Sequence, residues 1–319
     1  MKGNLLALLL AAALLTGSLA AASAEEDKSL KIAVAQISLS DEWSTQIADE
    51  FTKQCAQRGW DVSIADANMN AEIQQKQIED YIGFHEYDAL CINPVNPQSI
   101  VSTLQQAQEN NIPIFAYDGA VDFPGLVTHV SWNQEDTGIL TARWIADYAR
   151  ENLGGKLNIG VLTMQTFVHT KARGVAFMEE LTRQLGEENI TLVFHQDFGD
   201  TRESAADIVS NNIMKPIDVI WGAIDNAAIG AVSALTQNNI QNTIVVSAGA
   251  WGAEPFTMLR DASPYYKACI AVSPAAVVTQ TLDSIERYYN GEEIEPLQEV
   301  ELVVVDDSNI ADYIQYITK

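Results

Sequence analysis

Residues 31–66 read KIAVAQISLSDEWSTQIADEFTKQCAQRGWDVSIAD, and the fold follows from this stretch. Residues 31–37 form a short apolar run of strand character. Trp43, Ile47, Phe51 and Cys55 then fall four apart, which places them on one face of a helix. Gly59 supplies a helix stop, and Val62 and Ile64 alternate as a second strand does. A strand, an amphipathic helix and a second strand of these lengths make a βα unit whose strands lie parallel. The rhythm continues with a helix over residues 73–84, a buried strand over 89–92, a helix carrying Ile100, Leu104 and Ala107, and strands over 112–117 and 127–131.

A second series opens with a helix that carries Ile139, Ala142, Ile145 and Ala149 on one side and stops at Gly154-Gly155. Strands are expected over 157–162, 191–195, 219–221, 244–247 and 268–272, with helices over 170–185, 202–214 and 227–237 between them. A helix over 275–289, a strand over 300–305 and a short tail complete the chain. The class is α/β, with two successive parallel-sheet units and no Pro- or Ser-rich linker between them.

The chain has 319 residues, 47% of them hydrophobic and 8% aromatic, enough to bury large cores. Its 18 Lys and Arg face 43 Asp and Glu, a formal charge of −25. Such a chain repels nucleic-acid phosphates and anionic membrane surfaces, so neither is an expected partner. Lys2, the apolar run of residues 5–15 and the small triplet Ala22-Ser23-Ala24 read as a signal peptide over residues 1–24, cleaved after Ala24. That run is shorter than the roughly 20 residues a bilayer span needs. Leu15-Thr16-Gly17-Ser18 resembles a lipoprotein processing site, but Ser18 stands where the lipid-bearing Cys belongs. A periplasmic or secreted protein without a lipid anchor is expected. Cys55, Cys91 and Cys269 are read as small buried hydrophobes, with a Cys55–Cys91 bridge as the alternative.

In open parallel sheets, ligands bind beyond the carboxyl ends of the strands. Those positions hold residues 38–43, Asn93-Pro94, Asp118-Gly119 and Trp132-Asn133 in the first series. In the second they hold residues 164–167, Asp197 to Asp200, Ile224-Asp225 and residues 248–251. Carboxylates, amides and aromatics dominate, a mixture suited to a neutral polyhydroxylated ligand. A carboxylate accepts from two hydroxyls, an amide both donates and accepts, and an aromatic face covers the apolar side of a ring. Structural roles compete: Asp41, Asp200 and Asp225 also suit helix caps, Asn93-Pro94 a turn, Arg173 a solvated helix face and Trp221 the core. Motifs for a nucleophile elbow, a zinc protease, a P-loop, a dithiol or a dinucleotide turn are absent. The four histidines are scattered. Asp66-x-Asn68-x-Asn70 opens like a calcium loop but fails at Ala71 and Gln77. Asn189-Ile190-Thr191 matches a glycosylation acceptor only at the level of chance.

These residues resemble the type I periplasmic sugar-binding proteins of bacterial ABC importers, the ribose- and galactose-binding group. The resemblance runs from Lys31 to the carboxyl terminus. It rests on Lys31-Ile32-Ala33-Val34, Asp66 to Asn70, Asn93-Pro94, Tyr117-Asp118 and Asn133 with Gly138. It continues in Ala172-Arg173-Gly174-x-x-Phe177, Phe198 to Thr201, Asp225-Asn226-x-Ala228-x-Gly230-Ala231 and Tyr289-x-Gly291-Glu292. It implies two Rossmann-like lobes joined by three crossovers near Trp132, Val272 and Glu301. The amino-terminal lobe would take residues 31–132 and 273–300, the other 133–272 and 301–319. By the same resemblance, Trp43 matches a sugar-stacking aromatic, Asn93 and Asp118 match polar contacts, and Arg173 lies in a segment that supplies a basic contact. Asp41 replaces an amide, Gly119 stands where an Arg often follows the Asp, Ile224 replaces an amide, Ala248-Gly249 an aromatic–Asp pair, and Val272 stands near a hinge Gln.

The expected function is therefore binding without chemistry. A monomer takes a sugar or polyol in the cleft between lobes, using Asp41, Trp43, Asn93, Asp118, Trp132, Asn133, Arg173, Phe198, Asp225 and Trp251, and delivers it to an ABC permease. No metal, cofactor or nucleophile–base pair is expected. The alternative is a receptor subunit that reports a sugar or autoinducer to a membrane signalling protein.

Overall fold

A computed structural model describes residues 29–165, 168–199, 201–249 and 251–316. The signal-peptide reading of residues 1–24, and Thr166, Phe167, Asp200, Ala250 and residues 317–319, lie outside the described residues. In chain order the strands are β1 (Lys31–Gln36), β2 (Asp61–Asp66), β3 (Ala89–Ile92), β4 (Ile114–Tyr117), β5 (Leu126–Ser131), β6 (Leu157–Thr163), β7 (Ile190–Asp197), β8 (Val219–Gly222), β9 (Ile244–Ser247), β10 (Tyr266–Ala271), β11 (Leu297–Glu299) and β12 (Val303–Asp306). The α-helices are α1 (Glu42–Gln57), α2 (Ala71–Phe84), α3 (Val101–Glu109), α4 (Gln134–Asn152), α5 (Val168–Leu185), α6 (Arg202–Asn212), α7 (Asp225–Gln237), α8 (Ala253–Arg260) and α9 (Pro274–Tyr289).

The strands form two six-stranded sheets, ordered β11-β5-β4-β3-β1-β2 and β12-β10-β9-β8-β6-β7. The first is parallel throughout, with Val34 beside Ile64 on one side and Cys91 on the other. Strand alternation divides its core. Ile32, Val34, Cys91, Phe115 and Tyr117 pack with α1 and α9, while Ala33, Ala35, Leu90, Ile92 and Ile114 pack with α2 and α3. Ile47, Phe51 and Cys55 are fully buried against that sheet, as their spacing predicts. Ile47 and Phe51 each contribute roughly 1.5–3 kcal/mol. The second sheet is covered likewise, by α4 and α5 on one face and α6, α7 and α8 on the other. Trp221 lies in this core, stacked on Phe177 at 4.3 Å, with its Nε1 donating to Thr141 Oγ1 at 2.9 Å.

The chain passes between the sheets three times, after β5, after β10 and between β11 and β12. This corrects the single strand expected over 300–305. Leu297–Glu299 pairs with β5, and Val303–Asp306 pairs with β10 in the other sheet. No Gly or Pro marks the break in the sequence. Because β12 arrives without a helical crossover, it runs antiparallel to β10, so the second sheet is not wholly parallel. Helix α8 was also unforeseen; it is only 8 residues long and carries Pro255 in its first turn. Two motif glycines allow close helix contacts. A Cβ at Gly138 of α4 would lie 2.2 Å from the Arg173 carbonyl oxygen on α5, and one at Gly230 of α7 would lie 2.4 Å from the Arg202 carbonyl oxygen on α6. Cys55, Cys91 and Cys269 are buried free thiols, so Cys55 and Cys91 do not form the alternative bridge.

Candidate functional site: an acidic, tryptophan-walled cleft

A cavity of about 690 Å³ lies at the carboxyl ends of the strands, with walls from both sheets. Asp41 and Trp43 reach it from the β1–α1 junction, Asp118 from the end of β4, Trp132 from the end of β5 and Val272 from the end of β10. The second series contributes Arg173 from α5, Asp225 from the start of α7 and Trp251 from the segment after β9.

Backbone geometry and a buried amide place Asp118. Its φ of +57° lies in the left-handed region, and its Oδ2 accepts from Asn93 Nδ2 at 3.0 Å. Its carbonyl oxygen accepts from Ser131 Oγ at 3.1 Å and sits 3.0 Å from His129 Nε2. Burial pushes its carboxyl pKa up to about 6, against the hydrogen bond from Asn93 and the charge of Arg173. Asp225 is also pushed up to about 6 by burial, against the backbone N–H of Asn226 and the charge of Arg202. Arg173 is only 7% exposed. Its Nε donates to Gln134 Oε1 at 2.7 Å and its Nη1 to the Ala223 carbonyl at 3.2 Å. Burial lowers its pKa to about 10, and the carboxylates of Asp118 and Asp225 pull it upward.

Indoles form the apolar walls and tie the halves together. Trp43 and Trp132 meet edge to face, with centroids 5.8 Å apart and planes at 64°. Trp43 Nε1 donates to the Val272 carbonyl at 3.4 Å. Trp251 Nε1 donates across the cleft to Gln46 Oε1 at 2.6 Å, and the backbone N–H of Ala253 donates to Glu42 Oε1 at 2.9 Å. These two bonds join α1, beside the first sheet, to the segment that carries α8, beside the second.

Seven of the ten residues named from the sequence line this cavity: Asp41, Trp43, Asp118, Trp132, Arg173, Asp225 and Trp251. Asp41 lines the cavity and also caps α1, its Oδ1 accepting from Ser44 N. The side chain of Asp225 does not cap α7, whose N-cap residue is Ile224. Three residues lie elsewhere. Asn93 is 1% exposed beneath Asp118, with its amide committed to Asp118 and to Gly119 N, so it positions the carboxylate. Asn133 caps α4, accepting from Glu135 N and Asp136 N, and lines a separate depression of about 450 Å³ beside Glu299 and Glu301. Phe198 is 1% exposed and packs in the second sheet's core with Leu162 and Val209.

The ten residues named from the sequence leave out Glu42, Met69, Arg202 and Glu254, which also line the cavity, although Glu42 falls within the strand-end stretch 38–43. Glu42 and Arg202 directly follow cap residues, and that adjacency is the signal that was available. Glu254 belongs to the unforeseen α8.

Comparison with known proteins agrees with this architecture. The D-xylose-binding periplasmic protein of Escherichia coli (strain K12) is 27% identical over 224 residues, a match spanning 69% of this chain and 66% of that protein. The periplasmic binding protein component of the arabinose ABC transporter from Shewanella sp. ANA-3, bound to L-arabinofuranose, superposes with a TM-score of 0.78 at 21% identity, covering 90% of this chain and 95% of that one. A periplasmic solute-binding protein of an ABC transporter from Actinobacillus succinogenes 130z, with bound D-allose, also gives 0.78, at 22% identity and 89% and 100% coverage. These likenesses establish the type I fold. A family model described as a periplasmic binding protein domain matches residues 32–293; the chain belongs to that family of binding proteins.

Proposed function

We propose that this chain is the extracytoplasmic solute-binding component of an ABC importer, taking a monosaccharide or related polyol between a lobe of residues 31–132 and 273–300 and a lobe of residues 133–272 and 301–319. The observation that carries this reading is the convergence of Asp118, Asp225 and Arg173 with Trp43, Trp132 and Trp251 on one cavity between the sheets. Its volume of about 690 Å³ falls within the range of small-molecule sites. Each hydrogen bond from a ligand hydroxyl to a carboxylate would add about 1.5–3 kcal/mol, and the indoles would cover the apolar side of a ring.

A ligand that touches both walls favours closure by its differential affinity for the closed form. The closed shape is then what a membrane permease recognises. The names of the relatives, the family match and the leader-like residues 1–24 support a periplasmic carrier freed from its signal peptide, which we take to act as a monomer. The test is a thermal-shift and calorimetric screen of pentoses, hexoses and polyols. One of them raises the melting temperature and binds one to one, and Trp43→Ala weakens that binding at least tenfold. A full panel without a shift or a heat signal overturns the reading.

A further inference from the structure

The charges on the cavity wall do not balance. Five carboxylates line it, Asp41, Glu42, Asp118, Asp225 and Glu254, against two guanidiniums, Arg173 and Arg202. One of the acids is neutralised within the protein, and a second is held by uncharged donors that leave its charge in place. Glu254 pairs with Arg202 at 2.8 Å, and Glu42 accepts from Gln46 Nε2 and from Ala253 N at the start of α8. Arg173 is held by Gln134 and the Ala223 carbonyl and acts on Asp118 and Asp225 through space. With Arg202 paired to Glu254, the carboxylates of Asp41, Glu42, Asp118 and Asp225 face Arg173, an excess of three negative charges around a cleft walled by three indoles, which the field of Arg202 on Asp225 offsets only in part.

A neutral guest would leave that excess in place, and closure would deepen it by removing water from the carboxylates. A guest with one protonated amine would offset part of it, and the indole faces favour a cation through the ring quadrupole. Resting on the carrier reading above, we infer that the natural ligand is a cationic hydroxylated solute, a monosaccharide or polyol bearing one protonated amino group, with the ammonium placed among Asp41, Asp118 and Asp225.

The mutual repulsion is visible in the titration of the wall, since Asp41 raises the pKa of both Asp118 and Asp225. Besides burial, the groups acting on these two carboxyls are Asp41 from the β1–α1 junction, the Asn93 amide from the end of β3, Arg173 from α5, the backbone N–H groups of Asp225 and Asn226 at the start of α7, and Arg202 from α6. An ammonium would act in the opposite sense to Asp41 and lower both pKa values. Binding of a cationic guest would then release protons near pH 6.

The test uses matched pairs that differ only by amine for hydroxyl: D-glucosamine with D-glucose, D-galactosamine with D-galactose, and D-mannosamine with D-mannose. Calorimetry on the full-length mature protein at pH 7.5 reads both affinities. The amino member of at least one pair binds at least tenfold tighter than its neutral partner, and Asp118→Asn reduces that preference to threefold or less. Asp225→Asn is the parallel variant should the first fail to fold. Binding of neutral members with no pair in which the amino member is at least tenfold tighter overturns the charge inference and leaves the neutral-sugar carrier intact. Absence of binding by every member of every pair, with neutral pentoses and polyols from the wider screen bound, likewise removes the cationic class alone. Absence of binding by all of them removes the carrier reading as well.

Discussion

Asn93 Nδ2 donates to Asp118 Oδ2 at 3.0 Å while Asn93 Oδ1 accepts from the Gly119 backbone N–H at 3.2 Å. One buried amide thus fixes both a cleft carboxylate and the turn that carries it. Asn93→Ala leaves those partners without their bonds, at a cost of about 1–3 kcal/mol. Urea unfolding should report that loss, and calorimetry should show a ligand Kd weakened at least tenfold although Asn93 does not line the cavity. Unchanged affinity would show that Asp118 keeps its position unaided.

Gly138 sets the approach of α4 to the helix that carries Arg173. A Cβ there would press on the Arg173 carbonyl oxygen at 2.2 Å, and both are backbone-bound positions that yield little. Gly138→Ala should destabilise the protein by about 1–3 kcal/mol in urea unfolding. Gly83→Ala is the control. It adds a methyl group with no neighbour within 4 Å on a helical residue and should be neutral or stabilising by up to about 1 kcal/mol.

The bond from Trp251 to Gln46 at 2.6 Å is a latch between the halves. Gln46→Ala removes the acceptor and should shift the conformational equilibrium toward the open form. Stopped-flow fluorescence should then show faster ligand release, with affinity weakened roughly three- to tenfold, the scale of one net hydrogen bond. An unchanged release rate would mean that the latch forms no part of the closed state.

The raised pKa values of Asp118 and Asp225 set a direction for pH dependence. Because the folded pKa of about 6 exceeds the ordinary carboxylate value of about 3.9, the native state binds more protons between those values than the unfolded chain does. These two groups therefore make stability fall as pH rises through that window, and their unfavourable contribution is fully present above pH 6. Ligand binding runs the other way, since hydroxyl donors need the ionised carboxylates, so affinity should weaken as pH drops below 6. Melting temperatures of the ligand-free protein from pH 4 to 8, compared with an Asp118→Asn, Asp225→Asn double variant, isolate the effect. The double variant should gain most at the upper end.

Helical periodicity and strand alternation made most of the architecture legible. The face of Trp43, Ile47, Phe51 and Cys55 is the clearest case, with the last three buried and Trp43 turned into the cleft. Strand ends located six of the seven cavity residues, because in parallel sheets chain direction alone says which end faces a ligand, and the family resemblance pointed to Arg173 on α5. Spacing does not encode how deep a side chain sits. Asn93 and Phe198 lie at strand ends, as Asp118 and Asp225 do, but fall below the wall, one as a brace and one as core. The split at residues 300–302 was hidden because an apolar β-branched run reads alike within one sheet and between two. The cross-cleft bonds of Gln46 and Glu42 depend on where α8 lands, which is tertiary information.

Small-angle X-ray scattering on the mature protein, with and without a saturating amount of the tightest-binding sugar or amino sugar, tests the central claim most directly. Two hinged lobes closing over a guest held by Asp118, Asp225, Arg173 and the indoles predict a smaller radius of gyration on saturation, and no change with Asp118→Ala at the same ligand concentration. A ligand that binds tightly while the radius of gyration stays the same would contradict closure over this cleft.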